Sequence, residues 1–382
     1  MAALAKLIEC SMATIEYLEG HVLYTNPKPH VHSRHGCFPG LVQLPSNELL
    51  ALFVLQEAFE APNATTCISR SEDFGRTWKL QGPLYDKSTV GYPTSDSMKA
   101  TVLRDGTLIA IGYRFHRHDP EQSIGIEETG GLLPGDDLIS FSNDDGRSWT
   151  VPEILPRGYP ELLELSGPCV ELRSGDLVAV STPYHLPDGS NPSGPIGVLV
   201  RSHDKGRTWD DRQRYIDGRN TITPFEGRIR EMQDGRLVAM LWAYDVAKRR
   251  HLSNHVVVSH DDGRNWSQPI DTGHMGQSSN LIWLGGDLLA TIHAQREGDV
   301  GVYVRIVDFS GDRWRPIAES AIWGSHLGQQ TKPGQSMAEM FTSLRFGQPS
   351  LLQLADGQVL ATHWTIEEGQ GKVRTHRLRL EI

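Results

Sequence analysis

The chain has 382 residues and a formal net charge of −10, a balance that excludes a nucleic-acid partner because phosphate binding needs a surplus of Lys and Arg. No apolar run approaches the ~20 residues that cross a bilayer, so no membrane partner is expected. With 38 glycines, 22 prolines and 38% hydrophobic residues, short apolar runs are punctuated often enough to predict an all-β chain of many short strands. Met1-Ala-Ala-Leu-Ala-Lys6 lacks a charged-then-apolar export signal, which reads as a cytoplasmic protein. Cys10, Cys37, Cys67 and Cys169 show neither metal-type spacing nor a small disulfide framework, so reduced thiols are expected. Nothing in the composition signals an oligomeric state.

In chain order, a strand near Ile15–Tyr24 comes first. His30-Val-His32-Ser-Arg34-His35 follows; alternation puts His30 and His32 on one face, but no second pair of ligands stands at motif spacing. No metal and no cofactor is therefore expected, and His35 reads as a hydrogen-bonding site residue. Next comes a unit that recurs: apolar run, tight turn, apolar run. Its turns are Pro45-Ser46-Asn47, Asp105-Gly106, Ser174-Gly175, Asp234-Gly235, Gly285-Gly286 and Asp356-Gly357. Their separations of roughly 50 to 70 residues each hold one four-stranded blade. Six turns predict a six-bladed β-propeller. The last strand, Lys372 to Ile382, is expected to pair with the first, closing the ring and hiding both sheet edges. No linker divides the chain, so residues 1–382 read as one domain.

A second repeat interleaves with the first. Ser-x-Asp-x-Gly-x-x-Trp occurs at Ser71–Trp78, Ser142–Trp149, Ser202–Trp209 and Ser259–Trp266, with a shortened copy at Asp308–Trp314. Asp accepts bonds from successive backbone amides, Gly supplies a positive φ, and Trp covers the hairpin. These boxes are expected to brace the blades, not to catalyse.

In a propeller the first strand of each blade lines the channel, and the loops at one mouth form the ligand site. Polar residues before the inner strands include His35, Asp96, Glu226 with Arg228, and Gln348. After the second strands stand Glu57, Arg114, Tyr184-His185, Tyr244, Arg296 and Trp364. Carboxylates, guanidinium groups and aromatic rings together suit a carbohydrate partner. Glu226, directly before an inner strand, is the first choice of catalytic carboxylate. Glu57 or Glu60, in a loop able to reach over the mouth, and Asp96 are candidates for a protonated acid of raised pKa.

The four boxes and six hairpins resemble the sialidase superfamily over nearly the whole chain. That resemblance implies a six-bladed propeller with Asp-box hairpins, a three-arginine clamp for a carboxylate, a tyrosine nucleophile activated by a glutamate, and an aspartate acid/base. Glu226, in Phe-Glu-Gly-Arg-Ile-Arg-Glu-Met-Gln-Asp-Gly, matches the family's glutamate before a blade-four inner strand. Arg250 or Arg228, and Arg296, lie where the second and third clamp arginines are expected. Two positions depart from the pattern. Cys37 stands in the first arginine's place, leaving Arg34 to enter from the loop, and Phe346-Gly-Gln348-Pro stands where the tyrosine would be. Tyr113, Tyr184 and Tyr244 remain as alternatives.

The function expected is an exo-acting glycoside hydrolase of sialidase-like fold acting on an acidic or polyhydroxylated sugar. Glu226 serves as base toward water or as partner to a nucleophile, with Glu57 or Asp96 as the acid. Arg114, Arg228, Arg250 and Arg296 orient the sugar. Two other readings stand beside it: a polysaccharide lyase using His35 or His185 and a tyrosine on a uronate, and a non-catalytic carbohydrate-binding propeller.

Overall fold

The computed structural model describes residues 13–217, 222–245, 247–248, 250–324, 326–328 and 343–382. The Met1–Lys6 segment and Cys10 lie outside them. Six sheets, each of four antiparallel strands in its main path, are arranged as a six-bladed β-propeller, and Gly125–Ile126 pairs with Gly131–Leu132 as a separate two-stranded sheet. The inner strands are His35–Gln43, Thr94–Val102, Val170–Glu171, Ile222–Glu231, Ser279–Gly285 and Phe346–Gln353. All six blades contribute to the wall of one central channel, from Leu41 and Val42 round to Leu351 and Leu352.

Each of the turns read from the sequence joins an inner strand to the second strand of its blade. Leu103 N–H donates to Thr107 O, Leu172 N–H to Asp176 O, Met232 N–H to Arg236 O and Leu354 N–H to Gln358 O, all at 2.8 Å. The sixth blade is completed across the termini: Thr14–Tyr24 pairs antiparallel with Gln370–Glu381. Cys37, Cys67 and Cys169 are buried free thiols.

The boxes lie in the turn between third and fourth strands, at the end of the blade where Leu49 faces Ser71. In the second copy, Ser142 Oγ donates to Asp144 Oδ1 (2.8 Å) and accepts from Gly146 N–H (2.9 Å). Asp144 Oδ1 accepts from Ser148 N–H at 2.9 Å, and Trp149 Nε1 donates to Gly146 O at 3.3 Å. Bonds from the Ser148 hydroxyl and amide hold the Asp144 carboxyl down at about 2. The turn also joins neighbouring blades. A Cβ on Gly146 would stand 2.5 Å from Leu50 of blade one, and one on Gly263 2.8 Å from Leu199 of blade three. Arg70 donates to Asp145 O at 2.7 Å and Arg201 to Asp262 O at 2.6 Å, in each case from the preceding blade. These turns are latches between blades, and they need glycine because φ is positive and no side chain fits.

Candidate functional site

At the opposite end of the blades, where His35 faces Gln56, three inner strands break register in the same way. The ladder slips between Cys37 and Gly40, between Phe225 and Arg228, and between Gly347 and Ser350. Within those bulges Phe38, Glu226 and Gln348 adopt φ values of 53°, 46° and 37°, a region that non-glycine residues enter at a cost of about 1–3 kcal/mol each. A bulge re-aims its side chain out of the strand's alternation, and all three residues line one pocket at the channel mouth. Gln348 Nε2 donates to Glu226 Oε1 at 3.1 Å, while Glu226 Oε2 is buried with no partner.

Beneath Glu226 lies Glu164, 5% exposed. The Glu226 backbone N–H donates to Glu164 Oε2 at 3.0 Å. Burial and then the neighbouring Glu226 charge push the Glu164 carboxyl well up. Across the mouth, on blade one, burial pushes Glu60 up to about 7, opposed by Arg117. Tyr113 and Tyr184 meet edge to face at 5.9 Å; burial and the Glu164 charge raise both phenols, so they stay neutral. The rest of the wall is largely aromatic: Phe38, Phe59, Phe225, Trp242 and Trp364 surround the carboxyls. Among the described residues Arg296 is the cation that borders the pocket, with Nε and an Nη both donating to Phe346 O.

The pocket thus gathers Glu226, Tyr184, Arg296, Gln348 and Trp364 from the residues read in the sequence. Asp96 borders it, but its carboxylate is taken up elsewhere: Thr66 N–H (2.8 Å), Tyr85 OH (3.1 Å) and Lys87 Nζ (3.0 Å) occupy both oxygens. It ties blade one to blade two and is not free to act as an acid. Glu57 is exposed and outside the pocket; of the two loop glutamates, Glu60 is the one that turns inward.

The arginines scatter for a simple reason of strand alternation. On Leu108–His116, Tyr113 and Phe115 face the pocket, so Arg114 between them points away and binds Asp136 at 2.8 Å. Arg34 and Arg250 are exposed, the latter at the strand edge opposite Asp245. Arg228 is buried below Glu226, donating to Ser166 Oγ and Gly227 O. Among the described residues no three-arginine clamp forms at the mouth. His35 is structural: its Nδ1 accepts from Gly371 N–H at 2.7 Å and its Nε2 meets Ser33 Oγ at 2.9 Å. His185 is exposed and outside the pocket, and Tyr244 packs behind it on Phe225 and His251. Cys37, in the position of the missing clamp arginine, is buried with its thiol pushed up to about 12 by burial.

Glu164 and Lys99 escaped the sequence reading. Glu164 sits in Leu162-Leu-Glu-Leu165, and a carboxylate flanked by leucines is a signal of a buried acid. Lys99 lies on an inner strand, two residues after Ser97. Burial and the Arg228 charge push its ammonium down to about 7.

No protein-family model and no curated protein matches the chain by sequence. Solved structures match it by fold. A protein of unknown function from Dyadobacter fermentans superposes with a TM-score of 0.74 at 18% identity, covering 96% of this chain and 99% of that one. The Hadza microbial sialidase Hz136 gives 0.65 at 18% identity, over 94% of this chain and 68% of that one. The Penicillium chrysogenum α-L-arabinanase, complexed with arabinobiose, gives 0.62 at 16% identity, over 95% and 98%. The chain therefore has a propeller fold of the sialidase-like kind, shared with that sialidase and that arabinanase.

Proposed function

We propose that the protein is a glycoside hydrolase working at the channel mouth, with Glu60 as general acid and Glu226 as the carboxylate that faces the anomeric carbon. One observation carries the reading: a carboxyl raised to about 7 by burial shares an aromatic-walled pocket with a second carboxyl held in a bulge by Gln348. Glycosidic cleavage needs that division of labour, a protonated acid for the leaving oxygen and an ionised group for the sugar. Glu60, half protonated near neutrality, donates its proton to the departing oxygen. Glu226 either draws a proton from water or attacks the carbon itself. Gln348 occupies the place of the family's tyrosine and cannot attack, and the neutral phenols of Tyr113 and Tyr184 serve as hydrogen-bond donors.

The lining also speaks to the substrate. Eight aromatic rings and one backbone-tied arginine suit a sugar with an apolar face, such as a deoxy or acylated one. They suit a free carboxylate less well, which moves the reading away from an acidic sugar. Between the alternatives, a lyase loses its proposed histidine bases because His35 and His185 stand outside the pocket, and the tyrosines that remain have raised phenols.

A panel of aryl glycosides, neutral and acidic, tests the reading with two detectors. The expected result is aglycone release from a neutral or deoxy glycoside, abolished in Glu60→Gln toward poor leaving groups and retained toward activated ones. An unsaturated product absorbing in the near ultraviolet would overturn it in favour of a lyase, and tight glycan binding with no release would make the propeller a binder.

A further inference from the structure

Below the mouth pocket the channel narrows to a neck bordered by Pro39, Gly40, Ser166, Asn280, Gln348 and Ser350, and the charged side chains on its wall are Lys99, Arg228 and Arg230. All three are cations. Their hydrogen-bond partners are neutral: Lys99 Nζ meets Ser97 Oγ at 3.2 Å, Arg228 meets Ser166 and Gly227 O, and Arg230 meets Ile229 O at 2.7 Å. Arg228, 4% exposed, keeps a buried Nε–H with no partner. The nearest carboxyls are Glu226 and Glu164, above the neck. Glu226 must also balance Arg296, and the raised Glu164 favours its neutral form. Buried Arg228 and Arg296, half-buried Arg230 and Lys99, whose ammonium burial pushes down, therefore face two carboxyls, one of them reluctant to ionise. Buried charge without a counter-charge costs several kcal/mol, so proteins pair it.

We propose that the neck binds one small inorganic anion, of halide or nitrate size, between Lys99, Arg228 and Arg230. The cavity there is about 40 Å³, small beside the mouth pocket at about 150 Å³ and the channel at about 460 Å³, which suits a small ion better than a sugar. Gln348 borders both spaces and forms the partition between them, so the ion sits behind Glu226 and leaves the substrate's place free. Gly40 makes room for the lysine: a Cβ there would stand 2.8 Å from Lys99 Cδ. The ion keeps Lys99 charged and supplies the negative charge that the neck's own residues lack. This site does not depend on what the mouth hydrolyses.

Bromide soaked into crystals of the whole chain, read by its anomalous signal, locates the ion directly. The expected peak lies between Lys99 and the two arginines. In solution, chloride should stabilise the protein against heat relative to gluconate, which is too large for the neck, at equal ionic strength. Lys99→Met should weaken that bromide or chloride effect at least about tenfold, which is about 1.4 kcal/mol. Arg230→Gln supplies the same reading if Lys99→Met does not fold. Absence of a bromide peak in the neck, or halide stabilisation unchanged in the folded variant, would overturn the proposal.

Discussion

The two ends of the blades obey opposite rules. At the box end, positive φ falls on glycines and on turn residues such as Asp145 and Asp262, whose carbonyls are engaged by arginines of the preceding blade. Each box aspartate is satisfied by its own turn, and the glycines fit where no Cβ would. At the mouth end, positive φ falls on Phe38, Glu226 and Gln348, in bulges, with Glu226 Oε2, Gln348 Oε1 and Trp364 Nε1 buried and unpaired. One end spends its sequence on agreement between blades. The other keeps strain and unmet hydrogen-bonding capacity, the pattern expected of a site whose partner is a ligand. Stability and function have been separated along the length of the strands.

The contrast can be broken by exchanging the two kinds of effect. Glu226→Gln should leave the melting temperature nearly unchanged while lowering turnover by about 10²–10⁴-fold on a substrate found by the glycoside panel. A rate within a few-fold of the parent would remove Glu226 from the chemistry. Trp149→Ala should do the reverse. A fully buried tryptophan loses about 3–5 kcal/mol on truncation, and for this half-buried one we expect about 2–3, read from denaturant midpoints, with the activity of the folded fraction intact. Loss of turnover in fully folded Trp149→Ala protein would tie the box end to the site.

Two smaller effects sharpen the picture at the mouth. Glu60 acts in its protonated form and is raised to about 7, so its contribution is present below pH 7 and is lost above it. The pH profile of kcat/KM should fall about tenfold per unit on that alkaline side, for ~1.4 kcal/mol per unit. Glu60→Gln should remove that limb; a limb that persists belongs to another group. The smallest expected change is in Gln348→Gly. Glycine tolerates the φ of 37°, so the variant should gain about 0.5–1 kcal/mol in stability while turnover drops. A destabilised Gln348→Gly protein would show that the bulge is not strained.

The blades were legible in the sequence because both repeats are local. A tight turn and a box are each decided by a few adjacent residues, and Asp105-Gly106 or Ser142–Trp149 carries its own geometry wherever it stands. The mouth was half legible. Glu226 and Gln348 were read as preceding inner strands and reach the pocket from bulges within them, and Arg296 reaches it from just after a second strand. Arg114 failed because its direction depends on whether Tyr113 or Arg114 takes the inward phase of the strand, and the loops leave that phase open. Asp96 failed because its partners, Thr66, Tyr85 and Lys87, come from elsewhere in the chain. Between Glu57 and Glu60, the choice rests on a φ of 68° at Glu60, which no spacing rule conveys.

The pairing of Thr14–Tyr24 with Gln370–Glu381 has a kinetic meaning. Five blades are cut from continuous stretches of chain and gain their contacts as soon as each stretch collapses. The sixth must wait for two strands at opposite ends of the chain to meet, in register from Thr14 with Glu381 to Tyr24 with Val373. The loop being closed is roughly eight times longer than that of a continuous blade, three doublings, which adds about 2 kcal/mol of chain entropy to the search. Such distant contacts slow folding, and the last blade to form holds Gln348 and Trp364. The ring therefore closes by completing the wall of its own site, so that a chain folded only as far as five blades has a mouth without Gln348 and Trp364.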